Sequence, residues 1–445
     1  MNEKELILPA VAPFLGDANP PDLIKRIKKG DLYRWVIGEE PPVLGEHSLA
    51  KHRILQQYLE KYVAILTHSG RADQLTLSLV DGFSGGGRYL HPTTGERIAG
   101  SPLLMLDAMA IAEVNANLRR RNGFQLNSNF YFVEQKQQTL EYLKKVVESS
   151  PSATGKHERI HYLHGSFSNH LDQIIANIKR KGTAHRTIFL LDQYGYTDVP
   201  FSSIRKIFSQ LPNAEVILTF AVDWLTHFVN DSPSFTTTLR NLELEDRQDL
   251  LVNLRVEHDS DWRAQIQHIL HQHFFERSGA DCYTPFFIHS VESNRAYWLL
   301  HFSKHSTARD AMMELHWEMQ NHFEHFGSAG FGMLGHDPRK SSDENQLRFS
   351  FDADAKTATA EALLVEIPEK LSHHDELIPY RNFFDLNVNN TPATKEMIAS
   401  AVTQLAKDKE LEVLSKTKKR RKPGVKLNDS DLIRLPQTKF FPNWG

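Results

Sequence analysis

The chain has 445 residues, a formal net charge of −3 and a single cysteine, Cys282. Hydrophobic residues make up 40% and charged residues 24%, which is ordinary for a globular protein with a large core. These values exclude a disulfide framework and a cysteine-ligated cluster within the chain, and they leave only local features for binding nucleic acid or membrane. No apolar run approaches ~18 residues and no leader pattern opens the chain, so we expect a cytoplasmic protein without membrane contact.

Helices and strands are predicted to alternate after an irregular N-terminal arm, residues 1–48. The first helix covers 49–66, because apolar residues recur there at helical spacing. Strands are predicted at 75–80, 129–134, 160–164, 187–191 and 215–220, and further helices at 101–120, 135–147, 169–181 and 202–209. This alternation predicts an α/β fold with a doubly wound, mainly parallel sheet that is covered on both faces.

The pattern changes after the fifth strand. Residues 223–280 are mostly helical in pattern and are predicted to form an insertion. Strands at 285–291 and 296–302 are predicted to form a hairpin. A hairpin that closes a five-stranded parallel sheet is typical of the Rossmann-like fold of class I methyltransferases, so we assign residues 49–330 to such a domain.

A second domain is predicted at the C-terminus. Residues 331–375 are expected to form a linker and 376–445 a winged helix. A helix is predicted to open at Thr391-Pro392, followed by strands at 411–414 and 432–435. The segment between the two strands, residues 416–426, holds seven cations and no acid.

The most informative motif is the loop after the first strand, Asp81-Gly82-Phe83-Ser84-Gly85-Gly86-Gly87. It matches neither the dinucleotide fingerprint nor a Walker loop, because position 90 is not glycine and no Gly-Lys-Ser/Thr follows. Its F-x-G-x-G form is typical of the loop that holds the amino-acid end of S-adenosylmethionine. The predicted cofactor-binding residues of this loop are Asp81, Phe83, Gly85, Gly86 and Gly87. The alternative is that the glycines only form a tight turn.

Polar residues follow the next two strands. Glu134 ends the second strand, where an acid can accept hydrogen bonds from both ribose hydroxyls of an adenosyl cofactor. The alternative for Glu134 is capping of the next helix. Ser166 follows the third strand, where methyltransferases often place an acid near the adenine, and it is predicted to contribute a weaker, uncharged contact.

Asp192-Gln193-Tyr194-Gly195 follows the fourth strand, at the position of the D-P-P-Y-like turn of amino-methylating enzymes. Asp192 and Tyr194 are the predicted catalytic residues: the carboxylate accepts from the target nitrogen, and the ring stacks on a base. Gln193 departs from that pattern, which leaves nitrogen methylation open. Asp192 could instead be a turn or cap residue.

Other polar features give weaker signals. His268, His271 and His273 cluster, but their spacing fits no zinc motif, so we predict surface histidines and no metal site. Asp223-Trp224 could line the cleft, or the tryptophan could be packed in the core.

The basic run could be a solvated turn, a nuclear signal or a phosphate-contacting wing. Its place between two strands behind a helix favours the wing, with salt-dependent contacts that carry little sequence information. The predicted nucleic-acid-binding residues are Lys416, Lys418, Lys419, Arg420, Arg421 and Lys422.

In this order, the motifs resemble the three-Cys-motif partner protein family, known as TcmP. The resemblance covers most of the chain and rests on Lys51, His52, Leu55 and Tyr58, residues 81–89, Gly100-Ser101-Pro102, Phe132-Val133-Glu134, residues 191–195, residues 301–317 and the C-terminal winged helix.

The resemblance implies a bacterial protein similar to class I S-adenosylmethionine-dependent methyltransferases, with a GMT-like winged-helix domain. It also implies a radical-S-adenosylmethionine partner protein with three cysteines and a mobile-element or defence context. We therefore expect a methyltransferase that acts on nucleic acid, most simply DNA. The alternative is a non-catalytic adaptor that binds the cofactor or DNA for its partner.

Overall fold

The computed structural model describes residues 33–193, 198–220, 239–240, 242–247, 262–290, 295–319, 324–325, 329–331, 349–374, 376–422 and 424–436. The chain divides into Met1–Arg34 and Trp35–Gly445, and every element below belongs to the second unit.

The described helices are α1 (Glu46–Thr67), α2 (Ser101–Leu118), α3 (Gln137–Glu148), α4 (Phe167–Lys179), α5 (Phe201–Gln210), α6 (Trp262–Ser278), α7 (Ser306–Met319), α8 (Ala353–Ser372), α9 (Tyr380–Asn387) and α10 (Lys395–Lys407). The described strands are β1 (Gln74–Asp81), β2 (Arg88–Leu90), β3 (Arg97–Ala99), β4 (Gln125–Glu134), β5 (Ile160–His164), β6 (Arg186–Leu191), β7 (Ala214–Phe220), β8 (Cys282–Ser290), β9 (Arg295–Ser303), β10 (Glu324–His325), β11 (Phe349–Ser350), β12 (Ile378–Pro379), β13 (Glu412–Leu414) and β14 (Leu432–Arg434).

The main sheet has the order β11-β10-β8-β9-β7-β6-β1-β4-β5. Neighbours from β5 to β7 are parallel, whereas β9 is antiparallel to both β7 and β8. The chain runs outward from β1 through β4 to β5, and then returns to the other side of β1 with β6. This reversal opens a crevice at the carboxyl ends of β1 and β6, where ligands bind in open α/β sheets.

Strand residues alternate between two apolar cores, one on each face of the sheet. Leu79 of β1 belongs to the core beneath α1 and α2, whereas the next residue, Val80, belongs to the core beneath α4 and α5. Both are fully buried. Burial on both faces explains why β6 ends in a continuous apolar run, Ile188 to Leu191, rather than an alternating one.

The predicted parallel strands and the antiparallel hairpin are confirmed. Each of the five predicted parallel strands has its counterpart in β1, β4, β5, β6 or β7, and β8 and β9 form the hairpin. Most of the predicted insertion, residues 223–280, lies outside the described residues, but α6 lies within it. Asp223 and Trp224 are outside the described part.

The C-terminal part contains more helix than the sequence pattern predicted. Helix α8 lies in the segment expected to be a linker, and α9 precedes the predicted helix. The predicted start at Thr391 is three residues too early, because Thr394 is the N-cap and its hydroxyl accepts a hydrogen bond from the N–H of Met397 at 3.2 Å. The elements α8, β12, α9, α10, β13 and β14, with the sheet order β12-β14-β13, form a winged helix-turn-helix.

Among the described helices, none combines the length and apolar character needed to cross a membrane.

We expect Gly87→Ala to destabilise the fold. Gly87 has φ +74°, and an added Cβ would lie 2.6 Å from Leu143 Cδ1 of α3. A left-handed backbone and overpacking together should lower the free energy of unfolding by about 2–4 kcal/mol. Denaturant unfolding measures the change. Gly123→Ala is the control, because its Cβ would meet open space; equal losses in the two variants would contradict the packing argument.

Candidate active site

Three acids lie at the carboxyl ends of neighbouring parallel strands. Asp81 ends β1, Glu134 ends β4, and Asp192 directly follows β6. Asp81 lies opposite Phe132 on β4 and Leu190 on β6, so Glu134 and Asp192 each lie two positions further along at the same edge of the sheet. The structure therefore brings together the acids that the sequence predicted as a site.

Backbone hydrogen bonds fix the glycine loop across the strand ends. The N–H of Gly82 donates to Leu190 O of β6 at 2.9 Å, and the N–H of Ser84 donates to Val133 O of β4 at 3.0 Å. Gly85 has φ +57°, which favours glycine. The loop is thus held by both neighbours of β1.

Asp81 is completely buried. Burial raises its pKa to about 7, with added repulsion from Asp192 and Glu134, against the opposing effects of the Ser101 hydroxyl and the Phe83 N–H. That N–H donates to Oδ1 at 3.1 Å, whereas Oδ2 has no hydrogen-bond partner among the described residues. A buried oxygen of this kind is expected where a ligand completes the hydrogen bonding.

Glu134 holds the glycine loop as well as ending β4. Its Oε2 accepts from the N–H of Gly85 at 3.1 Å, and Oε1 accepts from the N–H of Lys136 at 2.8 Å. Burial raises the pKa of Glu134, and these two N–H groups partly offset the effect. The predicted alternative, capping of the next helix, is therefore present in part, because Lys136 precedes α3.

Asp192 forms an ion pair that the sequence did not reveal. The ammonium of Lys51, on α1, donates to Oδ1 at 2.6 Å and to Oδ2 at 2.8 Å. Burial raises the pKa of Asp192, but the adjacent charge and hydrogen bonds of Lys51 outweigh it and the net shift is downward. Asp192 is therefore ionised at neutral pH.

His52 and Tyr89 extend the same side of the site. The His52 ring lies 6.2 Å from the Tyr89 ring, centroid to centroid. Burial lowers the pKa of His52 to about 4, although the charge of Asp192 opposes the shift. The imidazole is therefore neutral at pH 7.

Trp35, from the predicted irregular arm, packs against the glycine loop. Its Nε1 donates to Arg88 O at 2.8 Å, and its ring lies edge-on to Tyr89 at 5.3 Å. A Cβ on Gly86 would lie 2.3 Å from this indole, so the bare backbone at Gly86 accommodates a side chain of the chain itself. The site is consequently narrower than the glycine pattern suggests.

The remaining predicted site residues have structural contacts. Phe83 packs near Phe167 at 6.5 Å between ring centroids. The Ser166 hydroxyl caps α4 by accepting from the N–H of Asn169 at 3.3 Å. Gln193 is buried, and its Oε1 accepts from the N–H groups of residues 198 and 199, both at 3.1 Å. Tyr194 lies outside the described residues.

Gln193 explains the departure from the D-P-P-Y-like pattern. Its side-chain oxygen accepts from the backbone of residues 198 and 199, and proline has no side-chain oxygen that could do so. Its Nε2 is buried without a hydrogen-bond partner in the described part of the chain. Together with Asp81 Oδ2, it gives the site one unsatisfied donor and one unsatisfied acceptor.

The prediction of surface histidines was wrong for His271 and His273, which are both buried. His271 stacks on Trp298 at 4.2 Å and its Nδ1 lies 3.0 Å from Tyr283 Oη, while His273 Nε2 lies 2.8 Å from Leu242 O. Tyr283 and the carbonyl of Leu242 thus give the two buried imidazoles hydrogen-bond partners. Within the described ranges, no group of three or more His, Cys, Asp or Glu residues could hold a metal.

The predicted wing residues lie on the loop between β13 and β14. Arg421 is committed to the fold, because its guanidinium pairs with the buried carboxylate of Asp431. The other five are exposed and form no ion pair within the described residues: Lys416, Lys418, Lys419, Arg420 and Lys422.

Comparison with known proteins gave one family model and several distant structural similarities. Residues 335–418 match the family model described as a GMT-like wHTH domain. A search of curated proteins found no match. A Legionella pneumophila protein has a similar structure at 11% identity and a TM-score of 0.33, covering 56% of this chain and 84% of its own. The methyltransferase domain of bacterial CtHen1-C matches at 14% identity and a TM-score of 0.25, covering 56% and 99%.

Strand order, rather than these distant similarities, establishes the fold. A mainly parallel sheet with a reversal at β1 and an antiparallel β9 next to β7 has the topology of class I methyltransferases. The chain therefore combines a methyltransferase-like domain with a C-terminal winged helix-turn-helix domain.

We expect Lys51→Met to destabilise the protein by about 1–3 kcal/mol, because it leaves the carboxylate of Asp192 largely buried without its cation. The effect stays below that of a fully buried pair, since Asp192 is 28% exposed. Lys61→Met, which removes a more exposed lysine of the same helix, is the control and should cost less than about 1 kcal/mol.

Denaturant unfolding should also find Lys51→Met/Asp192→Asn more stable than Lys51→Met alone, because the double variant buries no unpaired charge. A double variant that is less stable than Lys51→Met would contradict the assigned ion pair.

Proposed function

We propose that this protein is an S-adenosylmethionine-dependent methyltransferase that acts on nucleic acid. The observation that carries the proposal is the convergence of three acids on one hydrogen-bonded glycine loop at the point where the strand order reverses. That position is where open α/β sheets bind nucleotide-like ligands.

The residues at this edge suit an adenosyl sulfonium ligand. Asp81 Oδ2 is buried and lacks a hydrogen-bond partner among the described residues, so it can accept from the ligand's ammonium group. Glu134 can accept from ribose hydroxyls, and the positive φ of Gly85 turns the loop tightly beside it. Ser166, which follows the end of β5, is proposed to contact the adenine. Trp35 then forms a wall at Gly86.

S-adenosylmethionine supplies a methyl group that is already activated, so the protein's task is to align the acceptor and exclude water. Asp192, kept ionised by Lys51, can hold an N–H or O–H group of the acceptor. The neutral imidazole of His52 can accept a hydrogen bond from the same group, and the proton that the acceptor loses is released to solvent. Tyr194 remains the proposed stacking residue.

Two further elements of the proposal rest on the C-terminal domain and on the family resemblance. The exposed cations of the wing support nucleic acid, most simply DNA, as the substrate. The resemblance supports a radical-S-adenosylmethionine partner protein, and the single, buried Cys282 means that such a partner would have to provide any iron–sulfur cluster. Co-expression followed by gel filtration tests this: separate elution at micromolar concentrations would refute the partnership.

Calorimetry with S-adenosylmethionine tests the cofactor site. We expect wild-type binding in the micromolar range, and a loss of about tenfold or more in both Asp81→Asn and Glu134→Gln, because each removes a charged hydrogen-bond acceptor. Glu148→Gln, an exposed acid at the end of α3, is the matched control and should bind normally. Transfer of labelled methyl to DNA or RNA then tests the reaction.

Affinity for S-adenosylmethionine should also rise by about tenfold between pH 6 and 8. The folded protein holds the Asp81 proton more tightly than the unfolded chain does, so Asp81 ionises only as the pH passes about 7. A cationic ligand binds the ionised form better, and binding therefore strengthens as the proton is lost. A pH profile as steep in Asp81→Asn as in the wild type would refute this assignment.

One observation favours a second function, a non-catalytic adaptor. Trp35 already fills the space against Gly86 that a ligand would need if it approached the loop from that side. In that case wild-type protein would not bind S-adenosylmethionine, and binding would appear only in Trp35→Ala.

The methyltransferase proposal expects the reverse. The wild type should bind S-adenosylmethionine, and Trp35→Ala should only change the affinity. Ile37→Ala, which removes an exposed side chain of the same segment, is the control. Binding confined to Trp35→Ala would support the adaptor.

A further inference from the structure

The turn between α9 and α10 is anchored in the methyltransferase-like domain. Asn389 accepts from the N–H of Tyr283 and donates to Asp281 O, both at 3.0 Å. Trp317 Nε1 donates to Pro392 O at 2.8 Å, and the buried Arg309 guanidinium donates to Thr391 O. These contacts join the winged helix to β8 and α7.

The N-terminal end of α10 is closed by the same contact surface. The N–H of Lys395, the first residue of the helix, donates to Asp310 Oδ1 at 2.8 Å. Thr391 and Ala393 are fully buried, and Thr394 is nearly so. In a helix-turn-helix protein, the N-terminal residues of the second helix are the ones that contact base edges. Here the residues that lead into the helix are buried against protein, and the N–H of its first residue is bonded to a carboxylate.

The outer face of α10 is also unsuited to DNA. Its first three turns expose Glu396, Ser400 and Gln404, which carry no cation, and the exposed cation of the helix, Lys407, lies in its last turn. The groove beside them is lined by three acids, Glu314 and Glu318 of α7 and Glu396 of α10, and by one lysine, Lys356 of α8. Acids therefore outnumber cations along this groove, which disfavours a phosphate there.

The wing has the opposite character. Its five exposed cations lie on a loop tied at its base by the ion pairs Arg421–Asp431 and Arg434–Glu412. A tight turn, in which Lys418 N–H donates to Ser415 O at 2.8 Å and Ser415 N–H donates to Lys419 O at 2.7 Å, forms its tip. The cations are thus displayed on a fixed hairpin.

We propose that the winged helix contacts nucleic acid through the wing alone, along the phosphate backbone and without base readout, while α10 serves as the anchor to the methyltransferase-like domain. This inference rests on the proposed nucleic-acid function and specifies its interaction surface. Its consequence is that affinity should depend on salt and hardly on sequence.

Fluorescence anisotropy with two labelled duplexes of unrelated sequence, titrated over a range of salt concentrations, tests the proposal on the full chain. The variant Lys418→Ser/Lys419→Ser/Arg420→Ser removes three wing cations and leaves Arg421 in its ion pair. We expect it to lose at least tenfold in affinity at low salt, and its salt slope to flatten by about 2–3, because about 0.9 is lost for each phosphate contact.

Two comparisons make the test specific. Ser400→Glu/Gln404→Glu places two acids on the outer face of α10 and should change affinity less than twofold at about 0.15 M salt, where exposed charges are screened beyond ~8 Å. Arg71→Ser/Arg119→Ser/Arg121→Ser removes the same number of exposed cations from outside the winged helix. This variant should also bind the duplexes with wild-type affinity. Circular dichroism confirms that each variant is folded.

The outcomes separate the two proposals. Binding that survives in the wing variant, or that fails in the α10 variant, would overturn the wing assignment while leaving nucleic acid as a substrate. An absence of binding by the wild type at low salt would overturn both the wing assignment and the nucleic-acid substrate. A preference of tenfold or more between the two duplexes would overturn the absence of base readout.

Discussion

The burial of several carboxyl groups at one sheet edge is the constraint on which the site depends. The strand reversal at β1 places Asp81 two register positions from Asp192, since Asp81 lies opposite Leu190 on β6. Buried like charges cannot all stay ionised without compensation. Lys51 compensates Asp192, and N–H groups compensate Glu134. Asp81 alone retains an oxygen without a described partner, so it takes up a proton or requires a cationic ligand.

The segment before α1, residues 35–45, covers part of this sheet edge. Val43 pairs with Leu90, and the N–H of Leu44 donates to Leu90 O at 2.9 Å, so this segment adds to the small β2–β3 sheet. Trp35 lies at the start of the segment, and Lys51 lies on α1, which follows it. The segment thus places Trp35 against the glycine loop, and the helix that follows it places Lys51 against Asp192.

The sequence predicted whatever depends on local pattern. The apolar runs that end at Asp81, Glu134 and Asp192 identified three adjacent strands and their acids. It could not predict the Lys51–Asp192 pair, whose members are 141 residues apart, because a lysine on a helical polar face resembles any solvated residue. Helix α8 was missed although Leu363, Ile367 and Leu371 have helical spacing, since Pro368 interrupts the pattern. Gln193 appeared to be a departure because its role is to close a loop.

The interdomain contacts give the C-terminal domain a fixed orientation. Arg309 is fully buried, and its guanidinium reaches backbone carbonyls of the α9–α10 turn, so removal of the winged helix would take these two acceptors from a buried cation. Such an arrangement is costly to break and favours one relative position of the domains. Helix α7 carries both this anchor and the acids beside α10, so the surface that orients the winged helix is also acidic on the side of α10. Under the proposed wing contact, the rigid domain contact would then set the distance between bound nucleic acid and the acids at the sheet edge.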